Sequence, residues 1–171
     1  MEMDYRACDR IWQRVSPELN PYPEVRSAQS PCCMGDAAQG ETDVLRGFLR
    51  DELADAQTYR HLAACAPSRE GCRLMRRLAE DAAARVKTLQ ATHYLITGGT
   101  YDVTVVLPPQ SRLRWCDRLR ERYHAAACAG LNYARAAEET TDVCLKKLLA
   151  RLSEDAYRTA EQLRRALERA L

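Results

Sequence analysis

Eight cysteines and three histidines carry the most versatile chemistry in this chain, and their spacing excludes much of it. The cysteines are Cys8, Cys32, Cys33, Cys65, Cys72, Cys116, Cys128 and Cys144. No two of them form a C-x-x-C pair, so a zinc ribbon or a similar four-thiolate site has no ligand set. Cys32 and Cys33 are neighbours in the stretch PCCMG. Vicinal thiols in a loop are a candidate site for a soft metal or for thiol chemistry. Cys65, Cys72, Cys128 and Cys144 fall in or beside helical patterns, where cysteine reads as a small buried apolar residue. The opening MEMDYRACDR has no basic region followed by an apolar stretch, so the expected setting is a reducing cytoplasm with free thiols. Phosphate loops, G-x-S-x-G and H-E-x-x-H are all absent from the sequence.

Helices must position whatever chemistry remains. The chain has 171 residues, of which 46% are hydrophobic and 29% charged, with only seven glycines and seven prolines. It holds 26 alanines and 20 leucines, a composition that favours helix. Residues 1–41 stand apart. A short helix is predicted over 5–15, and four prolines then keep the chain extended. Trp12 and Tyr22 give this arm apolar anchors for a surface of its own chain or of a partner. From residue 42 the pattern predicts four helices, over 42–65, 69–97, 111–139 and 142–170. Leu45, Phe48, Leu49, Ala56, Tyr59 and Ala63 form the apolar stripe of the first. Ser68 is an N-cap signal and Gly98-Gly99 a stop. Links one and three are short, which makes antiparallel hairpins. Link two is long, so it can cross back along the molecule, with Val103, Val105 and Val106 as a strand-like strap. The expected fold is therefore all-α: an antiparallel four-helix bundle over 42–171 with one long crossover, preceded by the proline-rich arm over 1–41.

The two hairpins look related. A shift of 74 residues superposes Leu45 on Leu119, Tyr59 on Tyr133, Leu78 on Leu152 and Leu89 on Leu163. It also superposes Glu80-Asp81-Ala82 on Glu154-Asp155-Ala156. Two hairpins packed about a pseudo-twofold axis would give this pattern.

The stretches FLRDELADAQTYRHLA, RLMRRLAEDAAARVKTLQATHYLITGG and LKKLLARLSEDAYRTAEQL, in this order, resemble the ferritin-like superfamily, most closely its rubrerythrin-like branch. The resemblance covers about residues 42–170. It implies that each hairpin supplies one Glu from its first helix and a Glu-x-x-His pair from its second, together holding two iron or manganese ions. Carried over position by position, the first-helix Glu is Glu52, seven residues before Tyr59. The other ligand positions fall on Ala82, Arg85, Ala126, Ala156 and Thr159. One carboxylate among alanines cannot hold a dinuclear centre, so no metal or other cofactor is expected. A shifted register does not help, because no His follows an acid by three or four residues in the second or fourth helix. Rubrerythrins proper also carry a rubredoxin-like C-x-x-C domain, which this sequence lacks.

Glu52 and Arg85 lie on facing apolar stripes, where either charge alone would be costly. The expectation is an ion pair in place of the metal, with Tyr59 and Tyr133 donating hydrogen bonds to the same cluster. The functional expectation is a non-catalytic relative of the rubrerythrins that has lost its di-iron site and serves as a scaffold, assembly or partner-binding protein. The alternatives are a rubrerythrin-type oxidoreductase acting on peroxide or oxygen, and a thiol or metal role for Cys32-Cys33. A homodimer through helix faces is implied by the resemblance, and the arm is the candidate surface for another protein. Twenty-six Lys and Arg against 24 Asp and Glu leave a net charge of +2, which gives no footprint for nucleic acid. No apolar run is long enough for a membrane span.

Overall fold

The structure is a computed structural model and describes residues 33–105 and 113–171. Most of the arm, including Trp12, Tyr22 and Cys32, and the crossover residue Val106 lie outside the described residues. The described part is all-helical, with five helices packed together: α1 (Asp36–Gln39), α2 (Thr42–Cys65), α3 (Arg69–Thr97), α4 (Trp115–Glu139) and α5 (Val143–Ala170).

Each long helix starts or stops for a local reason. Ser68 Oγ accepts from Gly71 N at 3.0 Å and opens α3. Gly98 closes α3 with φ 70°, a left-handed conformation that glycine adopts without a Cβ penalty. Ala66 is extended ahead of Pro67, which ends α2. Asp142 Oδ1 accepts from Leu145 N at 2.7 Å and opens α5. α4 begins at Trp115, later than the sequence expectation, because Arg114 is extended and the helix has no side-chain cap.

Two apolar clusters, one at each end, fix how the helices run. One joins Leu45 of α2, Ile96 of α3, Ala137 of α4 and Leu145 of α5. The other joins Leu62 of α2, Met75 of α3, Leu119 of α4 and Leu163 of α5. Thus α2 and α5 run one way, and α3 and α4 run the other. The link from α3 to α4 must travel the length of the molecule. α3 has 29 residues, a span of about 43 Å at 1.5 Å per residue. Residues 98–114, at about 3.3 Å each when extended, reach roughly 56 Å and can cover it.

Three features depart from the sequence reading. Residues 101–105 form no strand, although Tyr101 and Val103 do pack against the core. Part of the segment expected as an extended arm folds into the single turn α1, whose Ala38 is fully buried. The thiols differ as well. Cys33 and Cys144 form a disulfide with Cα atoms 5.4 Å apart. Cys65 and Cys128 are exposed rather than buried, and Cys72 and Cys116 are partly exposed. Helical periodicity places a residue on a helix but does not by itself set which flank faces solvent.

Candidate functional site

The centre of the molecule is built from the interior stripe of each long helix. On α2 the stripe runs Leu45, Leu49, Glu52, Ala56, Tyr59 and Ala63, in alternating steps of four and three. On α3 it runs Leu78, Ala82, Arg85 and Leu89, and on α5 Leu149, Leu152, Ala156, Thr159 and Leu163. α4 contributes Leu119, Ala126 and Tyr133. The residues matched above to metal-ligand positions, Glu52, Ala82, Arg85, Ala126, Ala156 and Thr159, are all buried. These periodicities turn a charged pair into an otherwise apolar interior.

Arg85 Nε donates to Glu52 Oε1 at 2.8 Å. Tyr133 Oη donates to the same oxygen at 2.8 Å. Glu52 is 4% exposed and Arg85 8% exposed, so this ion pair is screened from water. Ala82, Ala126 and Ala156 are buried as well and bring no polar atom to this interior. The Tyr133 ring also stacks at a tilt on Phe48, with centroids 4.3 Å apart. The second carboxylate oxygen, Glu52 Oε2, is buried with no hydrogen-bond partner among the described residues. Burial pushes the Glu52 carboxyl above its ordinary range, and the contacts with Arg85 and Tyr133 draw it part of the way back.

Tyr59 does not complete the cluster as expected. Its hydroxyl is buried and makes no hydrogen bond among the described residues, and burial raises its pKa. Of the two tyrosines, Tyr133 alone donates to Glu52.

A neighbouring pair was missed from sequence. Arg122 Nη1 of α4 donates to Asp55 Oδ1 of α2 at 2.7 Å. Asp55 follows Glu52 by three residues, one turn along the same side of α2, and that spacing was the available signal. Burial raises the Asp55 carboxyl and Arg122 opposes the shift. Glu121 and His124 also stand three apart on α4, but both are exposed and face away from the interior. His93 is buried near the far end of α3, where its Nε2 meets Arg46 Nε at 3.3 Å and its Nδ1 lies 3.1 Å from the Gly99 carbonyl.

The candidate thiol site resolves differently from the sequence reading. Cys33 is tied to Cys144, at the start of α5, rather than free beside Cys32. The next residue, Met34, donates its backbone N–H to Asp142 Oδ2 at 2.7 Å. Asp142 therefore caps α5 with one oxygen and holds this segment with the other. Cys32 and Cys33 are neighbours in sequence, whereas the disulfide partner of Cys33 lies 111 residues away.

Among the described residues no three His, Cys, Asp or Glu side chains are gathered closely enough to hold a metal ion. None of the described helices is long and apolar enough to cross a membrane. No family model, curated protein or solved structure matches the chain.

Proposed function

We propose that this chain is a ferritin-like protein related to the rubrerythrins whose di-iron centre has been replaced by a buried ion pair, and that it acts as a non-catalytic scaffold, assembly or partner-binding protein. One observation carries the reading. The six positions matched to metal ligands all turn inward, yet they present one carboxylate, one guanidinium, three alanines and a threonine. That donor set does not fit two divalent ions, which need several charged oxygen or nitrogen ligands. The carboxylate is already held by Arg85 and Tyr133.

The two-hairpin course of the helices and the single long crossover also support the ferritin-like reading. The same resemblance implies that two copies pair through a helix face. The arm over 1–41 is the candidate surface for a different protein. A disulfide between Cys33 and Cys144 favours an oxidising setting over the reducing cytoplasm expected from the sequence.

The test is turnover of peroxide and of oxygen by the full chain, expressed with added iron or manganese. The reading predicts no rate above that of the free metal. A rate that is lost in Glu52→Ala would overturn it and restore the oxidoreductase alternative.

A further inference from the structure

Met34 has φ 59°, and among the described residues it is the one non-glycine residue in the left-handed region. That conformation is costly for a residue with a Cβ, and it persists only where the surroundings impose it. Two fastenings do so here. The preceding residue, Cys33, is bonded to Cys144, the second residue of α5. The Met34 backbone N–H donates to Asp142 Oδ2, on the residue that caps α5, at 2.7 Å.

Little else binds the segment 33–41 to the bundle. Ala38 is the one buried side chain of α1, and α1 touches α3 only sparsely. Met34 is partly buried against the cluster that holds Leu45, Ile96 and Leu145. The hydrogen bonds of the turn, from Ala38 N to the Gly35 carbonyl at 2.9 Å and from Glu41 N to the Ala38 carbonyl at 3.1 Å, close within the segment and tie it to nothing outside. Burying one methyl group and part of a thioether chain does not offset the entropy lost in ordering the whole segment. The covalent tie makes up the difference, because it holds the segment beside α5 and removes much of that entropy in advance.

The tie is also within reach of a reagent. Cys33 is exposed and Cys144 only partly buried, and an exposed bridge is the kind that exchanges with external thiols. Cys65, Cys72, Cys116 and Cys128 are free, so this is the one disulfide among the described residues. We infer that Cys33–Cys144 is a redox latch. Its reduction by a dithiol frees residues 33–41, lets Met34 leave the left-handed region and bares the apolar end that Ala38 and Met34 cover, while the four long helices stay packed. The thiolate of the dithiol attacks Cys33 Sγ, the bond to Cys144 breaks, and Cys144 leaves as a thiolate that takes up a proton. The second thiol then attacks the mixed disulfide. The reagent ends as its own disulfide, Cys33 as a thiol, and two electrons have passed to the bridge. The latch does not depend on the ferritin-like reading, since it rests on this segment alone.

Hydrogen–deuterium exchange of the full chain, read by mass spectrometry, tests it. The chain is compared after oxidised glutathione, after dithiothreitol, and as Cys144→Ser. In the oxidised chain, residues 34–41 should be protected. Dithiothreitol should raise their exchange to the rate of an unstructured peptide, while α3 and α4 keep their protection and an apolar dye gains fluorescence. Oxidised glutathione should restore the protection once dithiothreitol is removed. Cys144→Ser should exchange fast over 34–41 from the start and ignore dithiothreitol. Equal protection of 34–41 before and after reduction, loss of protection in all four long helices together, or a bridge that fails to form with oxidised glutathione or resists dithiothreitol in the folded chain would each overturn the inference.

Discussion

Replacing Arg85 by Met leaves the Glu52 carboxylate buried without its cation, and the cost can be sized from the geometry. The pair is 2.8 Å apart at its closest atoms, and both partners are more than nine-tenths buried. Two unit charges about 4 Å apart interact by about 4 kcal/mol at an effective dielectric of 20. Breaking a buried pair from one side characteristically costs about 3–5 kcal/mol. Arg85→Met should therefore lose about 3–5 kcal/mol at pH 7, read as the urea midpoint followed by circular dichroism. Removing both charges together, in Glu52→Leu with Arg85→Met, should cost far less or stabilise, because the desolvation penalty goes with the pair. The pH dependence has a fixed sign. Burial already raises the Glu52 carboxyl in the folded state, and losing Arg85 raises it further. The folded state then holds its proton more tightly than the unfolded chain, so stability falls as pH rises from the unfolded carboxyl range through the folded one. The deficit of Arg85→Met should thus be large at pH 7 and shrink as pH falls toward about 4.5. A loss under about 1 kcal/mol, or one independent of pH, would refute the claim that this pair is a desolvated, mutually compensating unit.

Other perturbations reach the remaining supports. Tyr133→Phe removes one of the two donors on Glu52 Oε1 and should cost about 1–3 kcal/mol, again measured by urea denaturation, with the larger effect near neutral pH. Reducing Cys33–Cys144 opens a loop of 111 residues, and on the chain-entropy account stability should drop by about 4–5 kcal/mol, seen as a lower urea midpoint with dithiothreitol that Cys144→Ser reproduces. Asp142→Ala removes the α5 cap together with the tie to Met34 and should cost about 1–2 kcal/mol in the same assay. Sedimentation of the full chain tests the homodimer implied by the resemblance, which predicts a mass of two chains and is contradicted by a monomer at micromolar concentration.

Much of the architecture was legible because helix signals are local. The stripes on α2 and α5, the Ser68 cap and the Gly98 stop each sit within a few residues of the feature they set. The facing of Glu52 and Arg85 could be reasoned from those stripes, since a charge at an interior step needs a partner at the same level. Tyr59 shows where this reasoning ends. Its position on the stripe fixed its burial but not its hydroxyl's direction, which depends on rotamers and on which donor reaches Oε1 first. The Cys33–Cys144 bridge was illegible for a different reason. Its partners are far apart in sequence, and only the return of the chain to the start of α5 brings them together. α1 is a single turn held by the burial of Ala38, too short to leave a periodic signal.

The most direct measurement of the central claim is elemental analysis of the full chain expressed with added iron, manganese or zinc, beside Glu52→Ala. An ion pair in place of the metal predicts clearly substoichiometric metal in both proteins. Near-stoichiometric metal in the wild-type chain that is lost in Glu52→Ala would contradict it, because Glu52 would then be a ligand rather than the partner of Arg85.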